Sequence, residues 1–527
     1  MVSEDSGMTR RGLFRLSAAA IGGYLASQIP FNPVYAAGDA PAEPRQSAVK
    51  PIPRVTKYML AATEDAATAY EKAIGALKER HGNPEILVFR GKEIEEVERE
   101  ISAEKPTHVQ VVCTPEEASI PGYTGRVEDE RSLSDGTLPV RLGKMLNRLG
   151  NGYRGAIGGI LTAYTPEDAL RIAQQGDFEV DNPLLIAQSS VHKNAEIFDA
   201  YRNSAAYLEA EKGYNRKDKS NGAVTRRKVE RAGTDILESL NSNTVGMFSI
   251  TGHGGANNWA PARTGEQPDS VFIARNGRVY LADLASKTAI GVLETDNPKV
   301  FWGAGTCRVG SVVDKDDSLL LGLLGSGGFT QAFGYETVTW YGRMGWSLVA
   351  DYLLNFPESS WFEAHRRAEI GLQFTLNKLR KFRRENKTPV SRDEQGHAFD
   401  TDVFIGWGDC GTRATNLLDD NFHPFYSTTI EPRVDNGRRV VKVGVKANED
   451  GVVGTDIVLG NPIVVDLKED VSGYRISAAS PGLDCDKGMD FVVLHPRREI
   501  INGGDRDSFR FSDIRKGDSW FVELSSQ

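Results

Sequence analysis

Two short apolar runs constrain the fold of this chain most, because each leads directly into a glycine-rich turn that carries one reactive side chain. The first, residues 245–250, is followed by Thr-Gly-His-Gly-Gly, and the second, residues 299–302, by Gly-Ala-Gly-Thr-Cys. Continuously apolar runs are typical of parallel strands that are covered on both faces. Open α/β sheets bind their ligands at the carboxyl ends of such strands. We therefore expect His253 and Cys307 to lie at one edge of a mainly parallel sheet flanked by helices.

The α/β pattern begins well before these runs. A helical pattern over residues 62–80 is followed by an apolar strand at 85–89, a charged helix at 94–104 and a strand at 108–113. Strand, helix and strand in this order predict parallel pairing through a right-handed crossover. We predict an N-terminal α/β subdomain over residues 58–190.

A second α/β subdomain, residues 191–418, carries both glycine-rich turns. We predict that residues 194–240 are mostly helical and that a basic loop interrupts them at 215–220. This loop is a solvated surface turn or, alternatively, a processing site. A long amphipathic helix is predicted over residues 359–385, where apolar residues recur at helical spacing.

The pattern changes to short β-rich runs after residue 418. Residues 438–445 alternate between polar and apolar side chains and follow the turn signal Asp435-Asn436-Gly437. Further β-rich runs lie at residues 457–459, 462–465, 474–476, 490–494 and 519–524. These runs predict a separate all-β sandwich domain over residues 419–527.

The N-terminus has the features of a targeting segment, which we set apart from the fold. Arg10 and Arg11 precede a moderately apolar stretch, and Val34-Tyr35-Ala36 offers small residues to a signal peptidase. Paired arginines before a weakly apolar stretch predict a twin-arginine signal over residues 1–37, followed by a flexible lead over 38–57. An ordinary signal peptide is the alternative. Both predict export from a bacterial cytoplasm, to the periplasm or the extracellular space.

Composition narrows the possible partners. The net charge of −9 argues against a nucleic-acid partner, which normally requires a concentrated basic surface. Beyond the N-terminus the sequence has no apolar run of about 18–20 residues, so we expect no membrane span in the mature chain. The four cysteines form no Cys-x-x-Cys pair, and we predict neither a zinc site nor a disulfide scaffold. We therefore expect no cofactor and assign no metal.

His253 and Cys307 together form a candidate catalytic pair. A cysteine is a useful nucleophile only as the thiolate, which a neighbouring base helps to form. His253 precedes Cys307 by 54 residues, which is the order and scale seen in caspase-type enzymes. The backbone N–H groups of Gly254 and Cys307 are our candidates for stabilising an oxyanion. Each motif taken alone has a structural alternative. The Gly-His-Gly segment could be a sharp turn, and Cys307 could be a small buried apolar residue.

The motifs around both residues resemble those of one known family. Residues 248–255, Phe-Ser-Ile-Thr-Gly-His-Gly-Gly, with Trp259 shortly after, resemble the histidine motif of the gingipain family of cysteine peptidases. Residues 305–310, Gly-Thr-Cys-Arg-Val-Gly, resemble its cysteine motif. Residues 317–334 are similar to the helix and strand that follow it, and residues 406–409 resemble the motif that closes the catalytic domain.

The resemblance implies a caspase–haemoglobinase-like fold, a Cys–His dyad and an immunoglobulin-like domain after the catalytic part. It also implies that Trp340 lies near the primary specificity pocket, although a buried core tryptophan is an equal alternative. Calcium binds some members of the family, so a calcium site in this chain is implied by the resemblance alone. The sequence departs from the family at Gly305-Thr306, where the family often has alanine and another small residue, and at the bulky Arg308.

The implied function is hydrolysis of peptide bonds in protein or peptide substrates through an acyl-enzyme. The alternative is a secreted binding or surface protein that keeps the fold without catalysis. A serine hydrolase is excluded because the chain lacks a Gly-x-Ser-x-Gly turn between strand and helix. We predict that Asp409 is a turn residue at the end of the catalytic domain.

Overall fold

A computed structural model describes most of the chain from residue 56 onward. The described residues are 56–90, 94–119, 137–149, 152–187, 194–201, 204–209, 214–252, 254–261, 268–286, 288–337, 344–390, 392–449, 461–496, 498–503, 506–511 and 514–527. The predicted signal and most of the predicted flexible lead lie outside them. So do His253, Trp340 and the β-rich run at 457–459.

The described chain alternates helices and strands up to residue 416 and then contains strands alone. The helices are α1 (Glu64–Ala69), α2 (Glu71–Arg80), α3 (Glu95–Glu104), α4 (Pro115–Ala118), α5 (Leu138–Leu149), α6 (Pro166–Gln174), α7 (Asn194–Ala200), α8 (Ala232–Asn241), α9 (Leu319–Leu324), α10 (Val349–Asn355), α11 (Trp361–Asn386) and α12 (Arg392–Val403), with a π-helical turn over Met344–Leu348. The strands up to residue 306 are β1 (Tyr58–Thr63), β2 (Ile86–Phe89), β3 (His108–Val112), β4 (Ile157–Leu161), β5 (Phe178–Val180), β6 (Pro183–Ala187), β7 (Ser204–Glu209), β8 (Asn215–Ser220), β9 (Ala223–Lys228), β10 (Met247–Gly252), β11 (Asn258–Trp259), β12 (Ser270–Arg275), β13 (Arg278–Asp283), β14 (Ala289–Val292) and β15 (Thr295–Thr306). The later strands are β16 (Gly327–Tyr335), β17 (Phe404–Gly408), β18 (Ala414–Asn416), β19 (Tyr426–Asp435), β20 (Arg438–Ala447), β21 (Ile463–Asp466), β22 (Tyr474–Ala479), β23 (Leu483–Lys487), β24 (Phe491–Pro496), β25 (Arg498–Gly503), β26 (Arg506–Phe511) and β27 (Ser519–Ser526).

A twelve-stranded, mostly parallel sheet lies at the centre, in the order β2-β1-β3-β4-β17-β16-β15-β10-β6-β7-β8-β9. Strands β1 to β4 pair in parallel, and so do β16, β15, β10, β6 and β7. Strand β17 joins these two blocks, antiparallel to β16 and parallel to β4. The prediction of a mainly parallel sheet with flanking helices is confirmed. Strands from both predicted α/β subdomains share this sheet, and the boundary at residue 190 stays a prediction.

Two local predictions were wrong. The predicted helix over residues 62–80 begins two residues late, because Ala62 and Thr63 complete β1 and Thr63 caps α1 by accepting from the Ala66 N–H group. The region 194–240 is not mostly helical, because β7, β8 and β9 lie between α7 and α8. The basic segment 215–220 is strand β8 itself, which pairs on one side with β7 and on the other with β9. Pairing with neighbours outweighs its weak intrinsic β-propensity.

The C-terminal part contains separate antiparallel sheets, as predicted. One has the order β19-β20-β27-β22, another β21-β24-β23, and β25 pairs with β26. The hairpin between β19 and β20 turns at Asn436 and Gly437, both with positive φ, as the turn signal predicted. Alternate valines of β20 are buried together with β21, β24 and β27 in one apolar cluster. The four-stranded and the three-stranded sheet therefore have a common core.

Helix α11 lies between the central sheet and the C-terminal strands. Ser360 and Glu363 form a capping box at its start, and Lys387 ends it in a left-handed conformation. Two of its arginines contact the C-terminal strands: Arg366 Nη2 lies 2.6 Å from Asp490, and Arg367 Nε lies 2.7 Å from Asp466. These two ion pairs connect the helix to β21 and to the residue before β24.

A fully buried ionic cluster joins α11 to the central sheet. Arg154 pairs with Glu369, and His365 Nε2 lies 3.2 Å from Glu369 Oε1 and 3.1 Å from the carbonyl oxygen of Phe404. Burial lowers the pKa of His365, and the charge of Glu369 opposes this effect. Burial would raise the pKa of Glu369, but Arg154 and His365 outweigh it and lower that pKa. Arg154 and Glu369 therefore balance each other's charge.

Asp409 is a turn residue, as predicted, because its carbonyl oxygen accepts a hydrogen bond from the Thr412 N–H group at 3.2 Å, but its carboxylate has a second role. Its carboxylate is 1% exposed and accepts hydrogen bonds from the Tyr58 hydroxyl (2.9 Å) and the Gly411 N–H group (2.9 Å). It also pairs with Arg80 (3.1 Å) and His81 (2.9 Å). Burial would raise its pKa, but the hydrogen bond from His81, together with the other donors, lowers it. Asp409 thus connects α2 and β1 to the end of β17.

Lys299 of β15 is fully buried, and its Nζ atom has no hydrogen-bond partner among the described residues. Burial lowers its pKa from 10.5 to about 8, with Asp181 and Asp296 opposing the effect. An ammonium group in such surroundings costs stability because it loses its hydration.

Replacing Lys299 by methionine is therefore expected to stabilise the protein. We expect Lys299→Met to raise the free energy of unfolding near neutral pH by about 1–2 kcal/mol, which is less than the full pKa change implies. Between about pH 8 and 10.5 the unfolded chain keeps the lysine proton that the folded chain has released, so wild-type stability rises there and the difference shrinks. Urea denaturation across this pH range measures the difference in unfolding free energy between the wild type and Lys299→Met. The exposed Lys446→Met is the control, and an equal effect in both variants would contradict the prediction.

Candidate active site

The two strands that precede the candidate dyad are neighbours and end at the same edge of the sheet. Strand β10 pairs in parallel with β15, and their last residues, Gly252 and Thr306, are partners in the register. Cys307 follows Thr306 directly, and His253 is the next residue of the chain after Gly252. The predicted meeting of these strand ends is confirmed, while His253 itself lies outside the described residues.

Gly254 lies against the cysteine-bearing strand. A Cβ atom on Gly254 would stand well inside van der Waals contact with Thr306 Cγ2 and 3.2 Å from the carbonyl oxygen of Cys307. A side chain at residue 254 would therefore push the two turns apart. Gly252 before position 253 and Gly254 after it are thus both held beside the end of β15.

The turn after β10 is fixed by contacts on its other side. The Gly255 N–H group donates to the carbonyl oxygen of Asn258 at 2.8 Å, and Gly254 forms a β-bridge with Trp259. Trp259 is buried, with its ring 5.6 Å from that of Phe272. The tryptophan noted after the histidine motif is therefore a core residue that anchors the turn. It belongs to a four-stranded sheet, β11-β12-β13-β14, for which the sequence analysis made no prediction.

The segment after Cys307 turns sharply onto the end of β16. Arg308 has a left-handed backbone (φ 62°), and its N–H group donates to the carbonyl oxygen of Thr337 at 3.1 Å. The Gly310 N–H group donates to the carbonyl oxygen of Tyr335 at 3.0 Å. A Cβ atom on Gly310 would lie 2.6 Å from the carbonyl oxygen of Gly334. Cys307 is thus positioned by β10 on one side and by the end of β16 on the other.

Cys307 differs from the other three cysteines in its surroundings. Cys113 and Cys410 are buried, whereas Cys307 is partly exposed at the sheet edge. Burial raises the pKa of the Cys410 thiol well above its ordinary value, and it also raises the pKa of Cys485 in strand β23. A raised pKa opposes formation of the reactive thiolate. By position and exposure, Cys307 is the best candidate for a nucleophile.

The segment that contains Trp340 lies outside the described residues, but the residues on both sides of it are fixed. Thr337 accepts the hydrogen bond from Arg308, beside the cysteine turn. On the other side, Asp400 accepts from the Met344 N–H group at 2.9 Å and from the Tyr335 hydroxyl at 3.3 Å. Thr337 and Met344, the described residues that flank this segment, therefore both lie near the end of β16.

Sequence reasoning missed Tyr335 and Asp400. The Tyr335 hydroxyl also accepts from the Gly345 N–H group at 2.9 Å, so these two residues together order the start of the π-helical turn. Asp400 lies 56 residues from Met344 in sequence, and no local pattern marks such a contact. The proposed oxyanion role of the Gly254 and Cys307 N–H groups stays a prediction.

The described part of the chain contains no group of three or more His, Cys, Asp or Glu side chains that could hold a metal ion. Within the same residues, no helix has the length and apolar character needed to cross a lipid bilayer. Comparison with models of known protein families found no match, and comparison with curated proteins found no relative.

Proposed function

We propose that this chain is an exported cysteine endopeptidase of the gingipain type, with Cys307 as nucleophile and His253 as its proton-transfer partner. One observation carries the proposal. The register between Gly252 and Thr306, with Gly254 packed against Thr306 and Cys307, brings the two motif turns together at the carboxyl edge of a parallel sheet. Gly252 and Thr306, which precede the two proposed catalytic residues, are thereby neighbours across the sheet.

In the proposed mechanism, His253 takes the proton of the Cys307 thiol and the thiolate attacks the scissile carbonyl carbon. The negative charge that develops on the carbonyl oxygen is stabilised by the N–H groups of Gly254 and Cys307. His253 then gives its proton to the leaving amine, and a thioester acyl-enzyme remains. Water, deprotonated by His253, releases the acyl group as a carboxylic acid and restores the thiol.

The wider architecture supports a caspase–haemoglobinase-like catalytic part followed by an immunoglobulin-like domain. The catalytic strands lie within a mostly parallel sheet with helices, and the C-terminal sheets of four and three strands are antiparallel. In this proposal Trp340 lies near the substrate's primary side chain, and the twin-arginine signal directs the protein out of a bacterial cytoplasm. Protein or peptide substrates are then met in the periplasm or outside the cell.

The close approach of Gly254 to the cysteine strand leads to a prediction about activity. Gly254→Ala places a methyl group against Thr306, so the histidine turn must move away from Cys307. A displacement approaching an ångström in a catalytic pair costs up to about 100-fold, and we expect kcat/KM to fall about 10- to 100-fold.

The neighbouring Gly255→Ala is the matched control for Gly254→Ala. A Cβ atom on Gly255 would meet its nearest neighbour, Asn258 Oδ1, at 3.4 Å, which is ordinary contact. We expect kcat/KM to change by less than about threefold in this variant. Equal losses in the two variants would contradict the proposed role of the close approach.

A mixed peptide library tests the proposed function directly. Purified protein is incubated with the library, and new termini are identified by mass spectrometry. In parallel, a peptidyl acyloxymethyl ketone, which alkylates activated cysteine nucleophiles, is applied and its attachment site mapped. Cleavage of internal bonds with the adduct on Cys307 supports the proposal. Neither cleavage nor an adduct would favour the alternative, a non-catalytic binding protein with this fold.

A further inference from the structure

The outermost strand of the central sheet presents a basic edge that the proposed peptidase chemistry does not use. Strand β9 is the last in the strand order, and all six of its residues are exposed. Within the described part of the chain, no strand pairs with its outer side. The backbone N–H and C=O groups along such an edge can accept one more strand.

The β8–β9 hairpin is regularly paired, so β9 offers a continuous strand edge. Its strands pair along their whole length, around a turn in which Asn221 and Gly222 both have positive φ (48° and 80°). Turns of this type match the natural twist of the paired strands. Strand β8 is in turn paired over all of its residues with β7, so the hairpin is continuous with the central sheet.

The charges on one face of the hairpin are compensated. Arg216 Nε lies 2.7 Å from Asp218, and Arg216 also pairs with Asp235 of helix α8. Arg227 pairs with Asp235 and lies 3.7 Å from Asp218. Two arginines and two aspartates therefore balance one another on this face.

The charged side chains that the two strands place on the opposite face are all cations. Lys217 is directly opposite Arg226 in the register, and side chains two residues apart share a face, so Lys219 and Lys228 lie there as well. The nearest carboxylate in register is Glu209 of β7. The hairpin contains six basic residues and one acidic residue in a chain whose net charge is −9.

Part of this basic face is held by the protein itself, and part is open. The Lys219 ammonium group donates to the carbonyl oxygen of Asp199 at 2.8 Å, and Lys217 Nζ stands 5.2 Å from the Tyr207 ring centre. Arg226 and Lys228 are exposed on the edge strand. Val224, 46% exposed, adds an apolar position on the same strand.

We propose that the β9 edge binds an extended, acidic polypeptide segment as an added strand. Backbone hydrogen bonds would supply the pairing, and acidic side chains opposite Arg226 and Lys228 would supply selectivity. A second copy of the chain is disfavoured, because β9 paired with itself would place cations opposite cations. The same cations repel other basic edges, which opposes edge-to-edge pairing of β9 between copies of the chain.

The test uses a fluorescein-labelled octapeptide in which glutamate alternates with valine. Binding is followed by fluorescence anisotropy in the Cys307→Ala background, so that the probe is not cleaved. Two comparison probes are a version N-methylated at every peptide bond, which cannot donate a strand hydrogen bond from either of its long edges, and an oligoglutamate of equal charge. We expect both to bind at least about tenfold more weakly than the octapeptide.

Charge-reversal variants locate the binding surface. In Arg226→Glu/Lys228→Glu the affinity for the octapeptide should fall at least about tenfold. The control variant Arg438→Glu/Lys446→Glu makes the same change in net charge on exposed residues of β20. Its affinity for the octapeptide should stay within about twofold of the unsubstituted protein. Equal binding of the N-methylated probe or of oligoglutamate would overturn strand addition. An unaffected β9 variant, or no binding of the octapeptide, would overturn the proposal as a whole.

Discussion

Replacing Cys307 by alanine is expected to reduce peptide hydrolysis by about 10⁴-fold or more. The substitution removes the only side chain that the proposed mechanism uses as a nucleophile, and losses of this size are typical when a catalytic nucleophile is deleted. The fold should persist, because Cys307 lies partly exposed at the sheet edge. Single-turnover hydrolysis of a cleavable library peptide measures the loss, and thermal unfolding checks the fold.

Cys485→Ala is the matched control for this experiment. Cys485 is also partly exposed, but it belongs to strand β23 of the C-terminal sheets. We expect its hydrolysis rate to stay within about twofold of the wild type. If Cys307→Ala retained the wild-type rate, the assignment of the nucleophile would be wrong.

Replacing Glu369 by glutamine is expected to lower the free energy of unfolding by about 3–5 kcal/mol. Arg154 and Glu369 are both almost fully buried, and the substitution leaves the Arg154 guanidinium without its counter-charge. Breaking a buried ion pair from one side has a cost of this size. Chemical denaturation of Glu369→Gln measures it.

Two further variants isolate the cause of the Glu369 effect. Glu385→Gln, on the same helix, removes an exposed pair 3.9 Å from Lys381 and should change stability by less than about 0.5 kcal/mol. Arg154→Leu/Glu369→Leu removes both buried charges and should recover most of the lost stability. A double variant as unstable as Glu369→Gln would show that the uncompensated charge is not the cause.

The apolar strands and the long helix could be predicted from the sequence because their signals are local. Strands β10 and β15 are continuously apolar, and the predicted helix over 359–385 matches α11, which a capping box starts. The turn signal at Asn436-Gly437 likewise predicted the turn that precedes β20. In each case one short segment contains the pattern that decides its structure.

The features that could not be predicted from the sequence depend on contacts between distant segments. Strand β8 reads Asn-Arg-Lys-Asp-Lys-Ser and has no apolar alternation, so it becomes a strand only because β7 and β9 pair with it. Asp409 forms its hydrogen bond with Tyr58 across 351 residues. The pairing of Gly252 with Thr306 could not be predicted either. Apolar runs indicate that strands exist, but they do not specify which residues become partners.

The most direct test of the Cys–His pair is the rate at which iodoacetamide alkylates Cys307 between about pH 5 and 9, in the wild type and in His253→Ala. The labelled site is mapped by mass spectrometry. We predict rapid labelling of Cys307 well below the ordinary thiol pKa of about 8.5, and slower labelling in the variant, because His253 stabilises the thiolate. Labelling no faster than that of an ordinary thiol, or a rate unchanged in His253→Ala, would contradict the central claim that the two residues form a catalytic dyad.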